Sequence, residues 1–318
     1  MSKHRVVRTG AVVAAGIAIG LTASAIPASA DTAVSVVTAS YHFRKLNDAA
    51  DGAFNELLGI NNHKKITGYY GSGVHGDPNQ GYTITAPFAQ IDYTPANIPG
   101  SAQTQVAGVN DGGVLVGLYS RTNKPSNVNG YFGFYVKNGV AHKVTYPTGN
   151  NSNPAFNELL GINNAGIAVG DFEDAAGAIH GYRYSIRTHK FARINIAGVH
   201  SLTATAINAG NTVVGYYTNG SGRIVGFLRR PDGQVVTIAR PGADETQAFG
   251  INKGGAVCGA YTVGSTTFGF VWQAGKFRTL NDPNGVGGTV VSGINNADDV
   301  VGYYTDARGN TDGFLAVP

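Results

Sequence analysis

The chain has 318 residues, of which 46 are glycine, 42% are hydrophobic and only 13% are charged. Coiled coils and long helices are rich in Ala, Glu, Lys and Leu, so this composition excludes them. The single cysteine excludes an intrachain disulfide scaffold, and the hydrophobic content excludes a disordered chain. Abundant glycine and aromatic residues with few helix formers predict many short strands and tight turns.

The formal net charge of +4 comes mainly from the start of the chain. Residues 1–30 contain Lys3, Arg5 and Arg8 and no acid, which leaves a net charge of +1 on the rest. Nucleic-acid-binding domains need clustered Lys and Arg on a clearly positive surface. The sequence therefore predicts no nucleic-acid partner.

Residues 1–30 have the pattern of a secretory signal peptide. A basic start precedes an apolar run over 11–21, and Ala28-Ser29-Ala30 forms an A-x-A cleavage site. A membrane anchor is the alternative, but the run is shorter than the ~20 residues that a span requires. We predict cleavage after Ala30, a short extension over 31–39, and a protein secreted or held at the cell surface without a membrane span.

Six internal repeats follow. Each has an apolar residue before an asparagine, a glycine seven residues after it, an aromatic nine after it, and then Gly followed by Tyr or Phe. The six asparagines are Asn61, Asn110, Asn163, Asn208, Asn252 and Asn295. Their spacings of 49, 53, 45, 44 and 43 residues are typical of propeller blades.

Each repeat is predicted to form four short strands, which in the fifth repeat lie at 247–251, 256–261, 267–273 and 276–281. A four-stranded meander buries both faces only against similar neighbours, so the prediction is an all-β, six-bladed β-propeller of four-stranded blades. A β-solenoid is the alternative. It is disfavoured because loops of variable length separate the second and third strands.

The N-terminal strand is predicted to close the ring. The sixth repeat ends after its third strand, and residues 43–48 (FRKLND) match residues 277–282 (FRTLND) at five of six positions. We therefore expect residues 40–48 to supply the missing fourth strand, which removes an exposed sheet edge. The propeller domain is predicted over 40–318.

The six copies resemble the extracellular repeat of the HAF family, most closely over residues 240–252 (RPGADETQAFGIN). The resemblance covers 40–318 and implies a secreted, propeller-like array without implying a reaction. Only the third repeat keeps the family's histidine, as His180. The other five repeats have Gln80, Phe132, Val225, Phe268 and Asp312 there, so a ring of histidines is not expected.

The conserved skeleton has a structural interpretation. Each repeat asparagine is expected to cap the turn between the first two strands as an Asx turn, and the alternative is six amides that ring the channel. The glycines are expected where blades approach closely or the backbone bends. The aromatics nine residues after each asparagine are expected to pack between blades. Cys258 is expected in the core.

The position five residues before each asparagine carries the candidate binding residues. Its occupants are Glu56, Gln105, Glu158, Thr203, Gln247 and Val290, whereas the next position is always apolar. Strand alternation points these two positions to opposite sides. The hypothesis is that the first five side chains form a ligand-binding ring at one channel mouth. Solvated strand ends are the alternative.

Catalysis by Glu56 and Glu158 is a further hypothesis. Residues 53–62 recur unchanged as 155–164, which indicates either duplication or a shared ligand-facing strand. Carboxylates two blades apart could meet only the ~6.5–9.5 Å spacing of an inverting glycosidase. The histidines show no metal-ligand spacing, so neither a metal site nor a cofactor is predicted.

The predicted function is a non-catalytic binding or scaffold module for a polar or glycan-like ligand, such as a cell-envelope polymer, with a protein partner also possible. The expected ligand face includes the loops at 71–80, 120–130, 173–179, 218–224, 262–267 and 305–312. One alternative is a glycan hydrolase or lyase that pairs Glu56 or Glu158 with Asp174 or Asp244. A structural matrix or envelope protein is the other.

Overall fold

The computed structural model describes residues 40–50, 53–72, 78–122, 130–148 and 156–318. Its strands form six four-stranded antiparallel sheets arranged in a ring, which confirms the all-β, six-bladed propeller. The predicted signal peptide and extension over 1–39 lie outside the described residues. Within those residues, no helix has the length and apolarity to cross a membrane.

The strands are short, and one 3-10 turn over Gln90–Asp92 interrupts them. Blade 1 consists of β2 (Asn55–Ile60), β3 (Ile66–Tyr70), β4 (Gln80–Ile84) and β5 (Tyr93–Pro95). Blade 2 consists of β6 (Gln103–Val109), β7 (Leu115–Ser120), β8 (Tyr131–Lys137) and β9 (Val140–Val144). Blade 3 consists of β10 (Phe156–Ile162), β11 (Ile167–Glu173), β12 (Ile179–Ser185) and β13 (Lys190–Arg193). Blade 4 consists of β14 (Leu202–Ile207), β15 (Val213–Thr218), β16 (Ile224–Arg229) and β17 (Val235–Ile238). Blade 5 consists of β18 (Glu245–Ile251), β19 (Val257–Val263), β20 (Thr266–Gln273) and β21 (Lys276–Thr279). Blade 6 consists of β22 (Thr289–Ile294), β23 (Val300–Thr305), β24 (Thr311–Val317) and the N-terminal strand β1 (His42–Lys45). The strands of blade 5 lie within two residues of the predicted bounds.

The N-terminal strand closes the ring as predicted. β1 pairs antiparallel with β24, with His42 opposite Val317 and Lys45 opposite Phe314. Just beyond it, the Leu46 backbone N–H donates to the Gly313 carbonyl at 2.8 Å. The first and last strands of the propeller therefore share one sheet, so blade 6 has its fourth strand.

The glycine seven residues after each asparagine permits a β-bulge inside its own blade. In every blade the register of the first and second strands shifts directly after the first-strand residue that pairs with this glycine. In blade 4, Ala204 pairs with Gly215 and the shift lies between Ala204 and Ala206. A Cβ built on any of these six glycines would lie 2.0–2.2 Å from a carbonyl oxygen of the first strand. The close approach here joins strands of one blade and not neighbouring blades.

Other glycines bring neighbouring blades together. A Cβ on Gly181, in the Gly-aromatic pair of blade 3, would lie 2.2 Å from Leu202 Cδ2 in blade 4. A Cβ on Gly59, two residues before Asn61, would lie 2.8 Å from the Ala107 carbonyl oxygen of blade 2. The innermost strands therefore touch around the axis, which makes the central channel narrow.

The core lies between the blades. The apolar residues four before each asparagine are completely buried, as are Phe134, Phe227, Phe270 and Phe314 of the Gly-aromatic pairs. Of the aromatics nine residues after each asparagine, Phe172 stacks on Tyr146 of the connection from blade 2 at a centroid distance of 4.1 Å. Tyr119 and Tyr261 pack against Phe132 and Phe268 of their own blades, so the predicted interblade packing does not describe the ring contacts of the whole set. Cys258 is fully buried as expected, and this burial raises the pKa of its thiol.

Candidate functional site

The propeller has two different faces. The first strand of each blade ends at the repeat asparagine, so the six asparagine turns share one face, called here the Asn face. The opposite loop face carries the loops between second and third strands, such as 219–223, and the connections between blades. Of the predicted ligand loops, residues 73–77 and 123–129 lie outside the described residues.

The repeat asparagines form a closed ring of hydrogen bonds on the Asn face. Each Oδ1 accepts from the backbone N–H four residues later, which confirms the Asx turn. Each Nδ2 donates to the backbone carbonyl of the asparagine in the next blade at 3.0–3.3 Å, and Asn295 returns to Asn61. The amides do ring the channel, but these bonds engage them in holding the blades together.

A partial second ring of hydrogen bonds surrounds the first, and it is formed by the residue that directly follows each repeat asparagine. The backbone N–H groups of Asn62 and Asp111 each donate to the side chain at this position in the next blade, both at 2.9 Å. Ala209 and Lys253 interrupt the ring because neither has a side-chain oxygen. Together the rings line a shallow depression of about 90 Å³, which is smaller than a sugar unit.

Replacing Asn208 with Ala should destabilise the protein by about 2–3 kcal/mol. The change removes two turn bonds, from the Gly210 and Thr212 N–H groups, and the 3.1 Å interblade bond to the Asn252 carbonyl. Asn219 is a matched control, since it caps a loop-face turn in the same blade through the Ser221 and Arg223 N–H groups without any interblade bond. Urea denaturation should show a loss of about 1 kcal/mol or less for Asn219→Ala. Equal losses would show that the ring contributes nothing.

The structure places most of the predicted binding residues inside the protein. Glu56 and Glu158 are 1% exposed, Gln105 2% and Thr203 7%, whereas Gln247 is half-buried. The alternative of solvated strand ends is therefore wrong for the first four. Whether these residues bind a ligand stays a prediction.

Charge interactions place Glu56 near tyrosines of two other blades. Glu56 in blade 1 and Tyr216 in blade 4 both interact electrostatically with the hydroxyl group of Tyr303 in blade 6. Burial is the main cause of the raised pKa of Tyr303, and these two neighbours raise it further. Three blades therefore contribute to one buried polar cluster.

Glu56 is held in this cluster as a neutral acid near pH 7. Burial raises the pKa of its carboxyl to about 8, from an ordinary value of 4.5. The Tyr69 hydroxyl donates to Glu56 Oε2 at 2.7 Å and opposes this shift only in part. Desolvation of the charged form dominates because a single hydrogen bond replaces the lost hydration.

Glu158 forms a carboxyl pair with Asp171, a residue that the sequence analysis missed. The two are cross-strand partners in blade 3, and burial raises the pKa of both, that of Asp171 to about 7. A hydrogen bond from Thr203 lowers the pKa of Asp171 in part. Two like charges in contact cannot both be stable without solvent, so the pair retains a proton at neutral pH.

A second missed set fixes the connections between blades. The residue six before the asparagine accepts a hydrogen bond from a backbone N–H of the preceding connection at 2.8–3.1 Å in five blades. These acceptors are Asn55, Thr104, Asn157, Thr246 and Thr289. Blade 4 has Leu202 instead. In the sequence, the recurrence of Asn or Thr at this position was the signal that could have identified these acceptors.

The loop face holds a pocket of about 200 Å³ between blades 3 and 4. Residues 179–181, 193–196, 199 and 200 line it, with Leu202 from blade 4, and we call it the blade-3 pocket. It contains His180, the histidine that only the third repeat keeps. A ligand loop was predicted at 173–179, whereas Arg193, Asn195 and His200 were not predicted from the sequence.

His180 links two charged side chains beside this pocket. Its Nε2 lies 2.6 Å from Asp174 Oδ2, and its Nδ1 contacts Arg193 Nη2. Hydrogen bonds from His180 and from the Ala178 N–H lower the pKa of Asp174. Within the described residues, no group of three or more His, Cys, Asp and Glu side chains could hold a metal ion.

No family model matches the chain, and no curated protein sequence matches it. Solved structures are similar in fold. TolB from Agrobacterium tumefaciens matches with a TM-score of 0.55 and 10% identity over 87% of this chain and 98% of that one. A gluconolactonase from Xanthomonas campestris matches with a TM-score of 0.52 and 12% identity over 88% and 91%.

A longer protein also matches. The chain spans 53% of the length of TolB from Acinetobacter baumannii, with 81% of this chain covered, 12% identity and a TM-score of 0.49. At identities of 10–12%, the likenesses to the Agrobacterium protein and to the gluconolactonase show the propeller fold alone.

Proposed function

We propose that the protein is a secreted, non-catalytic binding module that recognises a polar or glycan-like ligand on its loop face. The blade-3 pocket carries this proposal. It opens on the predicted ligand face, and its volume of about 200 Å³ suits one sugar unit. Strands β12 and β13 hold two of its polar groups, His180 and Arg193, which favours binding without large rearrangement.

The signal-peptide pattern of residues 1–30 and the resemblance to HAF repeats support secretion. A protein outside the cell encounters envelope and matrix polymers, which are rich in hydroxyl and charged groups. The loop face offers Asn195 and His200, both exposed, as hydrogen-bonding groups for such a ligand.

A glycan hydrolase or lyase is the second candidate, because the similar fold of a gluconolactonase shows that this architecture is compatible with catalysis. Burial weighs against the proposed carboxylates. Glu56 and Glu158 are 1% exposed, so a polymer could reach them only if the blades separated. Of the loop acids, Asp174 is engaged by His180, and Asp244 Oδ2 accepts from the Gly264 N–H at 2.7 Å.

An array of glycans and envelope polymers tests the proposal, with retention and released products scored together. We expect retention without products. The double variant Glu56→Gln and Glu158→Gln should retain the same polymers, because buried side chains do not touch a ligand in the blade-3 pocket. Products that disappear in this variant would establish the enzyme. Stable self-assembly without retention would favour the structural alternative and overturn the proposal.

A further inference from the structure

The blade-3 pocket contains the positively charged Arg193, and its neighbour His180 is not an acid that would neutralise this charge. Blade 6 provides the internal comparison, because Asp312 and Lys45 occupy the positions that His180 and Arg193 occupy in blade 3. There the Lys45 ammonium forms an ion pair with the Asp312 carboxylate at 2.7 Å. Blade 3 replaces this acid with a histidine, so its cation lacks the equivalent counter-charge.

The hydrogen-bonding roles of the two ring nitrogens of His180 follow from their partners. A guanidinium group can only donate hydrogen bonds, so Nδ1 of His180 must accept from Arg193. Nε2 therefore carries the ring hydrogen and donates it to Asp174. His180 lies between Asp174 and Arg193, and the pocket lining does not include Asp174. The pocket lining has Arg193 and no acidic residue among the described residues.

Arg193 is oriented before any ligand arrives. His180 contacts Nη2, and the Phe172 ring lies under the guanidinium at 5.7 Å from its centroid. In the described residues, His180 is the single hydrogen-bond acceptor for this side chain. The other guanidinium N–H groups therefore remain able to donate to a ligand.

A fixed guanidinium fork matches the two oxygens of a carboxylate. Beside it, Ile196 and Val199 are half-buried and give the pocket an apolar wall, which suits the C–H face of a sugar ring. Asn195 and His200 are placed for hydroxyl groups. We propose that the blade-3 pocket binds a carboxylate-bearing sugar unit through Arg193. This inference rests on the proposed function and names its ligand class.

Calorimetric titration with trigalacturonic acid tests the inference, with the methyl ester of the same trisaccharide as a ligand that lacks the charge. The wild type should bind the acid and bind the ester at least about tenfold more weakly. Arg193→Ala should lower the affinity for the acid by about tenfold or more. Arg183→Ala is the matched control, since Arg183 is an exposed arginine on β12 outside the pocket, and it should leave the affinity unchanged.

Thermal unfolding establishes that each variant is folded, and Arg193→Gln provides a second variant of similar length. Equal binding of acid and ester, or full affinity in both Arg193 variants, would overturn the inference. Tighter binding of a sulfated trisaccharide than of the acid would overturn the carboxylate assignment. The array separates the two proposals, because retention of neutral polymers by Arg193→Ala would leave the proposed function intact.

Discussion

Replacing Gly215 with Ala should destabilise the protein by about 3 kcal/mol or more, enough to unfold much of a marginally stable domain. The added Cβ would lie 2.0 Å from the Thr203 carbonyl oxygen and 2.9 Å from Phe227 Cε1. Both contacts belong to rigid parts of the blade, so the methyl group can be accommodated only if the first and second strands separate. That separation would break ladder bonds next to the bulge and disturb the buried Phe227.

Gly220 is the matched control for this prediction. It lies five residues further along blade 4, in the loop-face turn, and a Cβ there would meet no atom within 4 Å. Its φ is outside the left-handed region, so Gly220→Ala should change the free energy of unfolding by about 0.5 kcal/mol or less. Urea denaturation followed by circular dichroism measures both variants. Similar urea midpoints for the two variants would show that the strands adjust to the added methyl group. The glycine seven residues after the repeat asparagine would then not be a steric requirement.

Gly259→Ala extends the same test to blade 5. Its Cβ would lie 2.0 Å from the Gln247 carbonyl oxygen and 2.8 Å from Phe270 Cε1. An equal loss in both blades would show that the repeat signature reflects a geometric requirement of every blade. A large loss at Gly215 alone would restrict the requirement to blade 4.

The fold was predictable because each repeat states the same local geometry. The asparagine fixes a turn, the glycine seven residues later fixes the bulge, and six copies reveal which positions matter. Ring closure was predictable for a related reason, since residues 43–48 preserve the fourth-strand pattern of another blade. The channel width was not predictable, because it depends on contacts such as the 2.8 Å approach of Gly59 to Ala107 in the next blade.

The site was only partly predictable. Strand alternation set Glu56 and Glu158 apart from their apolar neighbours, but the structure buries both side chains where an open channel mouth was expected. Asp171 and Arg193 were missed because each stands at a position that carries a different residue type in most other repeats. Recognition of their roles required the cross-strand pairings of Glu158 with Asp171 and of Tyr182 with Arg193.

The buried carboxyl groups should make the protein more stable in mildly acidic solution than in alkaline solution. The pKa of Glu56 is about 8 in the folded protein and near its ordinary 4.5 in the unfolded chain. Between these values the unfolded chain releases the proton and the folded protein keeps it. Stability therefore falls as the pH rises through this window, by about 1.4 kcal/mol per pH unit for each such group, and levels off above pH 8.

Glu158 and Asp171 add to this fall, because burial raises the pKa of both and that of Asp171 to about 7. Urea midpoints measured between pH 4 and pH 9 should show the decline. Glu56→Gln keeps the neutral shape but cannot ionise in either state, so it should remove one group's share of the slope. The free energy of unfolding of Glu56→Gln should equal that of the wild type at pH 4. At pH 8 it should exceed the wild-type value by several kcal/mol, as the slope of about 1.4 kcal/mol per pH unit implies.

The acid limit serves as the internal control, since wild type and Glu56→Gln both carry a neutral side chain at pH 4. A difference there would report altered packing or altered bonding to Tyr69, and it would be subtracted from the values at higher pH. A flat stability profile between pH 5 and pH 8 would contradict the prediction. It would show that water reaches Glu56 and hydrates its carboxylate, which would also open the channel to a polar ligand and restore the hypothesis of a binding ring there.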